Sequence, residues 1–253
     1  MEKMIADLAN RAGEIALKYY GQTTPDEKPD KSYVTEGDKR TEEFLREYLT
    51  KELPDDGIVG EEEGSTNPDA EYVWALDPID GTTNYVSRLP HWGVCIGRLK
   101  RGVPVLGVVY LPVLDEMYVA GPDAPSTLNG KRISAASNVR WHHEELIGVG
   151  SKSFEKRPPK FPGKIRVIGS TVVKLLYVAR GSYVGAAIPA VHVWDVAAGL
   201  PVLLGAGAEC EWTDGGGDVG ELNLSPGNRF ETPAMIASAP GVMTRLRDAL
   251  GGG

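Results

Sequence analysis

Two aspartates, Asp77 and Asp80, stand three residues apart where the apolar run Trp74-Ala75-Leu76 gives way to Gly81-Thr82-Thr83-Asn84. Pro78 holds Asp77 extended and Gly81 permits a sharp turn. Both carboxylates can then face one point beyond a strand end, with the Ile79 carbonyl free to join them. Oxygen-only donors of this kind suit Mg²⁺ or Mn²⁺, whereas zinc favours histidine and cysteine. Residues 81–84 also read as the opening of a helix, whose unpaired N–H groups and dipole favour a phosphate beside the metal. A lone Asp-Pro-x-Asp-Gly is more ordinarily a tight turn with an aspartate cap, so the reading needs support from elsewhere in the chain.

Two further segments supply it. Gly60-Glu61-Glu62-Glu63 follows the short apolar strand signal Ile58-Val59, where a solvated acidic loop is the plain alternative. Trp194-Asp195-Val196-Ala197-Ala198-Gly199 sets an aspartate at the start of a small-residue helix, where an N-cap is the plain alternative. Taken together and in this order, GEE, DPIDGTTN and WDVAAG resemble the signature of the inositol monophosphatase family. Val34-Thr35-Glu36-Gly37-Asp38 and Gly169-Ser170-Thr171 add to the resemblance, which spans nearly the whole chain.

The resemblance implies a mixed α/β (α+β) sugar-phosphatase fold, a layered α-β-α-β-α sandwich with two lobes. Residues 1–133 would form the lobe with most metal ligands, and residues 134–253 the lobe with Asp195 and substrate contacts. It makes Glu61, Asp77 and the Ile79 carbonyl ligands of one Mg²⁺, and Asp77, Asp80 and Asp195 ligands of a second. A third ion near Glu61 is typical, and Mn²⁺ can substitute. Two divalent ions can clamp the attacking and leaving oxygens of a displacement at phosphorus without a phosphoenzyme. Glu61 and Thr82 would orient the water, with Asp38 holding Thr82. Asp80, Gly81, Thr82, Gly169, Ser170 and Thr171 would contact the substrate. A homodimer is also implied.

Some positions depart from the pattern. Where inositol-specific members carry an acidic residue seven positions before the last metal aspartate, this chain has Ile188, and Val184 replaces an acid four residues earlier. An apolar side chain accepts no hydroxyl hydrogen bond, which puts inositol recognition by that route in doubt and favours broad or sugar-phosphate specificity. Pro201 should kink the helix after Asp195. The expected activity is Mg²⁺-dependent hydrolysis of a phosphorylated polyol or sugar, such as inositol monophosphate or fructose 1,6-bisphosphate. A nucleotide phosphatase acting on adenosine 3',5'-bisphosphate or NADP, and a non-catalytic regulatory protein, are the alternatives.

The elements that must position these residues are legible in outline. Apolar residues recur at helical spacing over residues 4–19, and Phe44, Leu45, Tyr48 and Leu49 mark a second helix closed by Pro54. Strand signals follow at 58–59, 72–76, 92–99, 103–110 and 116–120, with Arg101-Gly102 as a hairpin turn. Beyond the turn at residues 128–130, strands at 146–150, 165–168, 183–188, 209–212 and 234–238 alternate with helices at 171–180, from Asp195, and at 242–250. The basic stretch 156–164 reads as a solvated loop, and the glycine runs 215–217 and 251–253 as flexible turns or ends. Of the histidines, His192 is expected to pack rather than ligate.

Composition sets the outer limits. The 253 residues, 42% hydrophobic, can bury a substantial core, and a net charge of −8 dispersed along the chain argues against nucleic acid as a partner. No apolar run suits a membrane span and residues 1–20 carry charges throughout, unlike a signal peptide, so a cytoplasmic location is expected. Cys95 and Cys210 are expected to be buried thiols.

Overall fold

The structure is a computed structural model describing residues 1–22, 24–29, 31–122, 124–151, 159–214, 219–224 and 230–251. The first half begins with α1 (Glu2–Tyr19), a ribbon of β1 (Asp26–Glu27) and β2 (Tyr33–Val34), and α2 (Glu36–Glu52). It continues with β3 (Gly57–Gly60), β4 (Gly64–Thr66), β5 (Tyr72–Asp80), α3 (Thr82–Val86), β6 (Gly93–Lys100), β7 (Val103–Leu111), β8 (Glu116–Ala120), β9 (Thr127–Leu128) and β10 (Lys131–Arg132). The second half carries β11 (Leu146–Val149), β12 (Lys164–Val167), α4 (Thr171–Ala179), β13 (Gly185–Ile188), β14 (Val191–His192), α5 (Val193–Ala197) and α6 (Gly199–Gly205). β15 (Glu209–Trp212), β16 (Glu231–Thr232), β17 (Met235–Ser238) and α7 (Met243–Leu250) complete it.

The helical spacing of the first segment is realised as α1, which buries Ile5, Leu8, Ala9, Ala12 and Ala16 along one side. The second helix starts well before its apolar residues. Thr35 is its N-cap, and Thr35 and Asp38 exchange hydrogen bonds in a capping box. Both helices lie on an eight-stranded sheet of order β10-β9-β8-β7-β6-β5-β3-β4. Arg101 and Gly102 both take positive φ, the two-residue turn that joins β6 to β7.

Alternation along β5 sorts its side chains between two cores. Trp74 and Leu76 pack with Ile5, Leu8, Leu45 and Leu49 of α1 and α2, while Val73 and Ala75 pack with Val172, Leu175, Val196 and Leu200 of α4, α5 and α6. Burial on both faces explains why this strand reads as a continuous apolar run. Each fully buried Leu, Ile or Val contributes about 1.5–3 kcal/mol over an exposed one.

The second sheet, of order β12-β11-β13-β17-β15, covers the far side of the α4–α6 layer through Ala186, Ile188, Met235 and Ala237. Its outer face packs Ile147, Val149 and Ile236 on Leu246 and Ala249 of α7. The layers therefore run α-β-α-β-α.

Pro201 breaks the helix after Asp195 into two. α5 and α6 meet at Ala198, and the proline falls in the first turn of α6, where a missing N–H costs no intrahelical bond. The junction lies close on the large sheet: a Cβ at Gly97 would sit 2.7 Å from the Ala197 carbonyl carbon, and one at Gly107 would run into the Ala198 carbonyl oxygen.

Cys95 is buried and Cys210 only half-buried, and neither forms a disulfide. Among the described residues no helix is long and apolar enough to cross a membrane. The glycines at 215–217 and 252–253, and residues 156–158 of the basic stretch, lie outside the described residues.

Candidate active site

β5 does not end at Leu76 but runs on through Asp77-Pro78-Ile79-Asp80. In a regular strand, residues three apart point to opposite faces. Here Asp77 pairs with Cys95 and Asp80 with Gly93, so β5 carries one residue more than β6 between the two pairs. This β-bulge turns both carboxylates to one side and accommodates Pro78, which has no N–H for the ladder. Gly81 follows at φ 98° as the residue before α3. A Cβ there would lie 3.2 Å from Ser170 Cβ and 3.1 Å from the His91 carbonyl oxygen, so glycine alone allows this approach to the second half of the chain.

Asp195 arrives from that second half on α5. Its Oδ2 accepts a hydrogen bond from the His192 N–H at 2.7 Å, and His192 is the cap residue. Asp195 thus closes a capping box from the third helical position, and the plain N-cap alternative does not hold, His192 being the N-cap. The His192 ring stacks on Trp194 with centroids 4.6 Å apart, the packing role expected of it. In the assembled fold, carboxylate oxygens of Asp77, Asp80 and Asp195 all lie within 4.8 Å of one another.

Asp80 also latches the two halves together. It accepts from the Ser170 hydroxyl, from the Thr171 N–H at 3.2 Å and from the Val172 N–H at 2.9 Å, which occupies the first turn of α4. Ser170 caps that helix through Val173. Gly169, Ser170 and Thr171 therefore meet the site through Asp80 and Asn84: a Cβ at Gly169 would meet the Asn84 amide. Asn84 donates to the His91 carbonyl at 2.6 Å and to the Ile168 carbonyl at 2.7 Å, a second tie between the halves.

Thr82 lies at the first position of α3. Its hydroxyl has two acceptors for one proton, the Ile79 carbonyl at 3.2 Å and Asp38 Oδ1 at 3.4 Å. The other Asp38 oxygen accepts from the Thr35 N–H at 2.7 Å and the Thr35 hydroxyl at 2.5 Å. Glu61 stands outside the three-carboxylate set. Its Oε1 accepts from Lys28 Nζ at 2.8 Å, and the same ammonium reaches Glu62 at 2.8 Å.

The electrostatics of the site are those of crowded, buried negative charge. Burial, followed by the charges of Glu61, Asp80 and Asp195, pushes the Asp77 carboxyl far above its usual range. Burial and the charges of Asp80 and Glu61 do the same to Asp195. Burial raises Asp80 too, but the donors from α4 offset part of the effect. Asp38 is pushed by burial up to about 6 against the bonds from Thr35. A divalent cation reverses this logic by favouring the ionised carboxylates. The donor set, two buried carboxylates and one half-buried, with no nitrogen or sulfur ligand among them, fits a hard cation such as Mg²⁺.

Two residues escaped the motif reading, Lys28 and Lys174, while Asn84 lay inside DPIDGTTN but was given no role there. Lys28 lies in a segment whose pattern says only loop. Lys174 interrupts an otherwise apolar helix, Thr171-Val172-Val173-Lys174-Leu175-Leu176, and that interruption was the available signal. Ile188 is buried in the core between the sheets, whereas Val184 lies just before β13 and packs in the outer cluster with α7. Val184 is therefore on the side of the sheet away from Ile188.

The layered architecture thus brings together, between its halves, an oxygen-donor cluster that could hold a metal ion. The chain belongs to the inositol monophosphatase family, whose model matches residues 1–247. It is 34% identical to a fructose-1,6-bisphosphatase/inositol-1-monophosphatase of Aquifex aeolicus, over 80% of this chain and 82% of the relative. It is 35% identical to a histidinol-phosphatase of Mycobacterium tuberculosis, over 82% and 85% of the two chains. It is also 31% identical to the Nus factor SuhB of Escherichia coli, over 96% and 95%. Among solved structures, the inositol monophosphatase of Thermotoga maritima superposes with a TM-score of 0.85 at 26% identity, covering 98% of this chain and 95% of the other.

Proposed function

We propose that this chain is a Mg²⁺-dependent phosphomonoesterase that hydrolyses a small phosphorylated sugar or polyol, such as fructose 1,6-bisphosphate or an inositol monophosphate. The observation that carries this reading is the convergence of Asp77, Asp80 and Asp195 from both halves of the chain, beside the Thr82 and Asp38 pair. Asp77, Asp80, Asp195, Glu61 and the Ile79 carbonyl would hold the divalent ions, which when bound neutralise phosphate charge and make water a better nucleophile. With its proton given to Asp38 Oδ1, Thr82 Oγ1 presents lone pairs that orient the attacking water, and Glu61 supplies a second acceptor for the water's proton. The N–H groups of Gly81 and Thr82 would bind phosphate oxygens. Ser170 and Thr171 serve the substrate through their hold on Asp80.

Ile188, packed in the core, offers no acceptor for an inositol hydroxyl, which supports broad or sugar-phosphate specificity. The family further supports a homodimer, a cytoplasmic location, and a division into lobes 1–133 and 134–253. A regulatory role is the second reading, favoured by the likeness to the Nus factor SuhB. The presence of Asp38, Asp77, Asp80, Thr82 and Asp195 weighs against it, because a purely regulatory protein has no use for a poised water-orienting threonine.

The test is phosphate release by metal-stripped protein, with and without Mg²⁺, on phosphates of fructose, glucose, inositol, glycerol, histidinol and adenosine, and on NADP. Mg²⁺-dependent release, fastest on sugar phosphates, is expected. No release from any of them by protein that binds Mg²⁺ would overturn the enzymatic reading.

A further inference from the structure

The face of the large sheet that α1 and α2 cover changes character at one end. Trp74 and Leu76 of β5 lie in the apolar core beneath these helices, and alternation puts Tyr72 on the same face, two residues before Trp74. On β6, Lys100 stands opposite Tyr72 and Arg98 opposite Trp74, and directly opposed residues of an antiparallel pair share a face. Cations therefore take over where the apolar pattern stops. The first turn of α1 does not close the space above them. A cavity of about 590 Å³ remains, lined by the polar groups of Lys3, Arg98 and Lys100, by the Tyr72 ring, and by the apolar Val105, Leu106 and Pro122.

Arg98 is held in place. Its Nε and Nη2 lie 3.0 and 2.8 Å from Asp56 Oδ2, and its guanidinium sits over the Tyr72 ring, 4.0 Å from the centroid. Trp74 Nε1 donates to the same Asp56 oxygen at 2.8 Å. These contacts leave Arg98 Nη1 without a partner among the described residues, and Lys3 makes no hydrogen bond or ion pair there either. Lys100 meets Glu71 only at 3.8 Å, with both side chains about half exposed, and an exposed pair of this kind contributes little. Glu2 is the one acid among the lining residues. A Cβ at Gly121 would run into its carboxylate, so it lies against the backbone beside Pro122. Three cations against one acid make the cavity positive in a chain whose net charge is −8.

We propose that this cavity binds a small organic anion with an apolar body, such as an aryl phosphate, sulfonate or carboxylate, at a site separate from the carboxylate cluster. Its volume is that of a small-molecule pocket, and its combination of apolar walls with a few polar groups is the usual one. Val105, Leu106 and Pro122 take the body of the ligand, and Arg98, Lys3 and Lys100 take its anionic group. A guanidinium already fixed by Asp56 and Tyr72 loses little freedom when its remaining nitrogen meets an acidic oxygen. The cavity shares no lining residue with the carboxylate cluster. Tyr72 stands at the opposite end of β5 from Asp77 and Asp80, and the five residues from Tyr72 to Asp77 span about 16 Å at the rise of a strand.

The experiment is fluorescence titration of the full chain, with and without MgCl₂, for the wild type, Lys3→Gln/Lys100→Gln and Val105→Trp. The probes are anilinonaphthalene sulfonate, an aromatic anion, and its uncharged counterpart phenylnaphthylamine. The wild type should bind the sulfonate saturably, one per chain, with the same affinity whether or not MgCl₂ is present. Loss of both lysines should weaken the sulfonate at least about tenfold, as for lost charge-assisted hydrogen bonds, and leave the uncharged probe within about twofold. Filling the cavity with Val105→Trp should weaken both probes. Equal sulfonate affinity with and without the lysines overturns the proposal, as does a folded Val105→Trp chain that binds like the wild type. An absence of saturable binding overturns it too, and is the result expected if a second copy of the chain covers the cavity. Binding that requires Mg²⁺ places the probe at the carboxylate cluster and equally overturns it. If Val105→Trp does not fold, Val105→Phe is read in its place, and the lysine pair decides alone if neither folds.

Discussion

Asp77 and Asp80 reach the site on a nine-residue strand hydrogen-bonded on both edges, whereas Asp195 reaches it on a five-residue helix that rests on glycine faces of the sheet. The first pair is held by its own backbone: a bulge, a proline and a left-handed glycine set both carboxylates within four consecutive residues. The third carboxylate is held by its neighbours, through the His192 cap bond and the tight seat of α5 and α6 over Gly97 and Gly107. Asp80 joins the two arrangements by accepting three bonds from the start of α4. Chemistry concentrated on the strand arm thus depends for its geometry on packing at the helix arm.

The comparison breaks most sharply at the strand arm. Asp77→Asn removes a proposed metal ligand without removing a packing group, and phosphate release should fall by more than about 10²-fold with an unchanged circular dichroism spectrum. Because that carboxylate is disfavoured by burial and by its neighbours, the metal-free variant should melt no lower than wild type. Near-normal turnover in the folded variant would mean that the chemistry lies elsewhere.

At the helix arm the expectation inverts, with stability lost first. Gly107→Ala forces a methyl group against the Ala198 carbonyl oxygen and should cost about 1–3 kcal/mol in urea unfolding. Activity should fall through a raised Mg²⁺ requirement as Asp195 shifts, and excess Mg²⁺ should recover part of it. Unchanged stability would show that the α5–α6 junction is not seated as described.

The smallest effect is a pH slope that both arms share. Burial raises Asp38 from 3.8 to about 6 and Glu62 from 4.5 to about 7, and Asp77 and Asp195 shift in the same direction. These carboxyls bind protons more tightly in the folded chain than in the unfolded one, so between their unfolded and folded values stability falls as pH rises. Metal-free protein should therefore melt at a higher temperature near pH 5.5 than near pH 7.5, and saturating Mg²⁺ should flatten the slope, because the cation takes over from the proton. A metal-free melting temperature that rises with pH over this interval would contradict the charge crowding at the site.

Much of this was legible before folding. The alternating and helical periods located the long elements, and Pro201 announced the break between α5 and α6. Thr35-x-x-Asp38 was also readable as a capping box, and it places the start of α2 earlier than the apolar residues alone suggest. Two-residue ribbons such as β1 with β2 and β14 with β16 carry no period, so only their partners define them. The bulge at Asp77 and Asp80 was hidden for a similar reason: it is a mismatch of count between β5 and β6 and exists in neither strand alone.

The sequence by itself determined the candidate donors, carboxylate oxygens without histidine or cysteine, and the local turn that gathers two of them, because proline and glycine restrict the backbone within a few residues. Only the tertiary structure decided that Asp195 would join them and that α4 would spend its first turn on Asp80. Those outcomes depend on which faces pack together, and long-range packing is settled by the fit of whole layers rather than by any stretch of neighbouring residues.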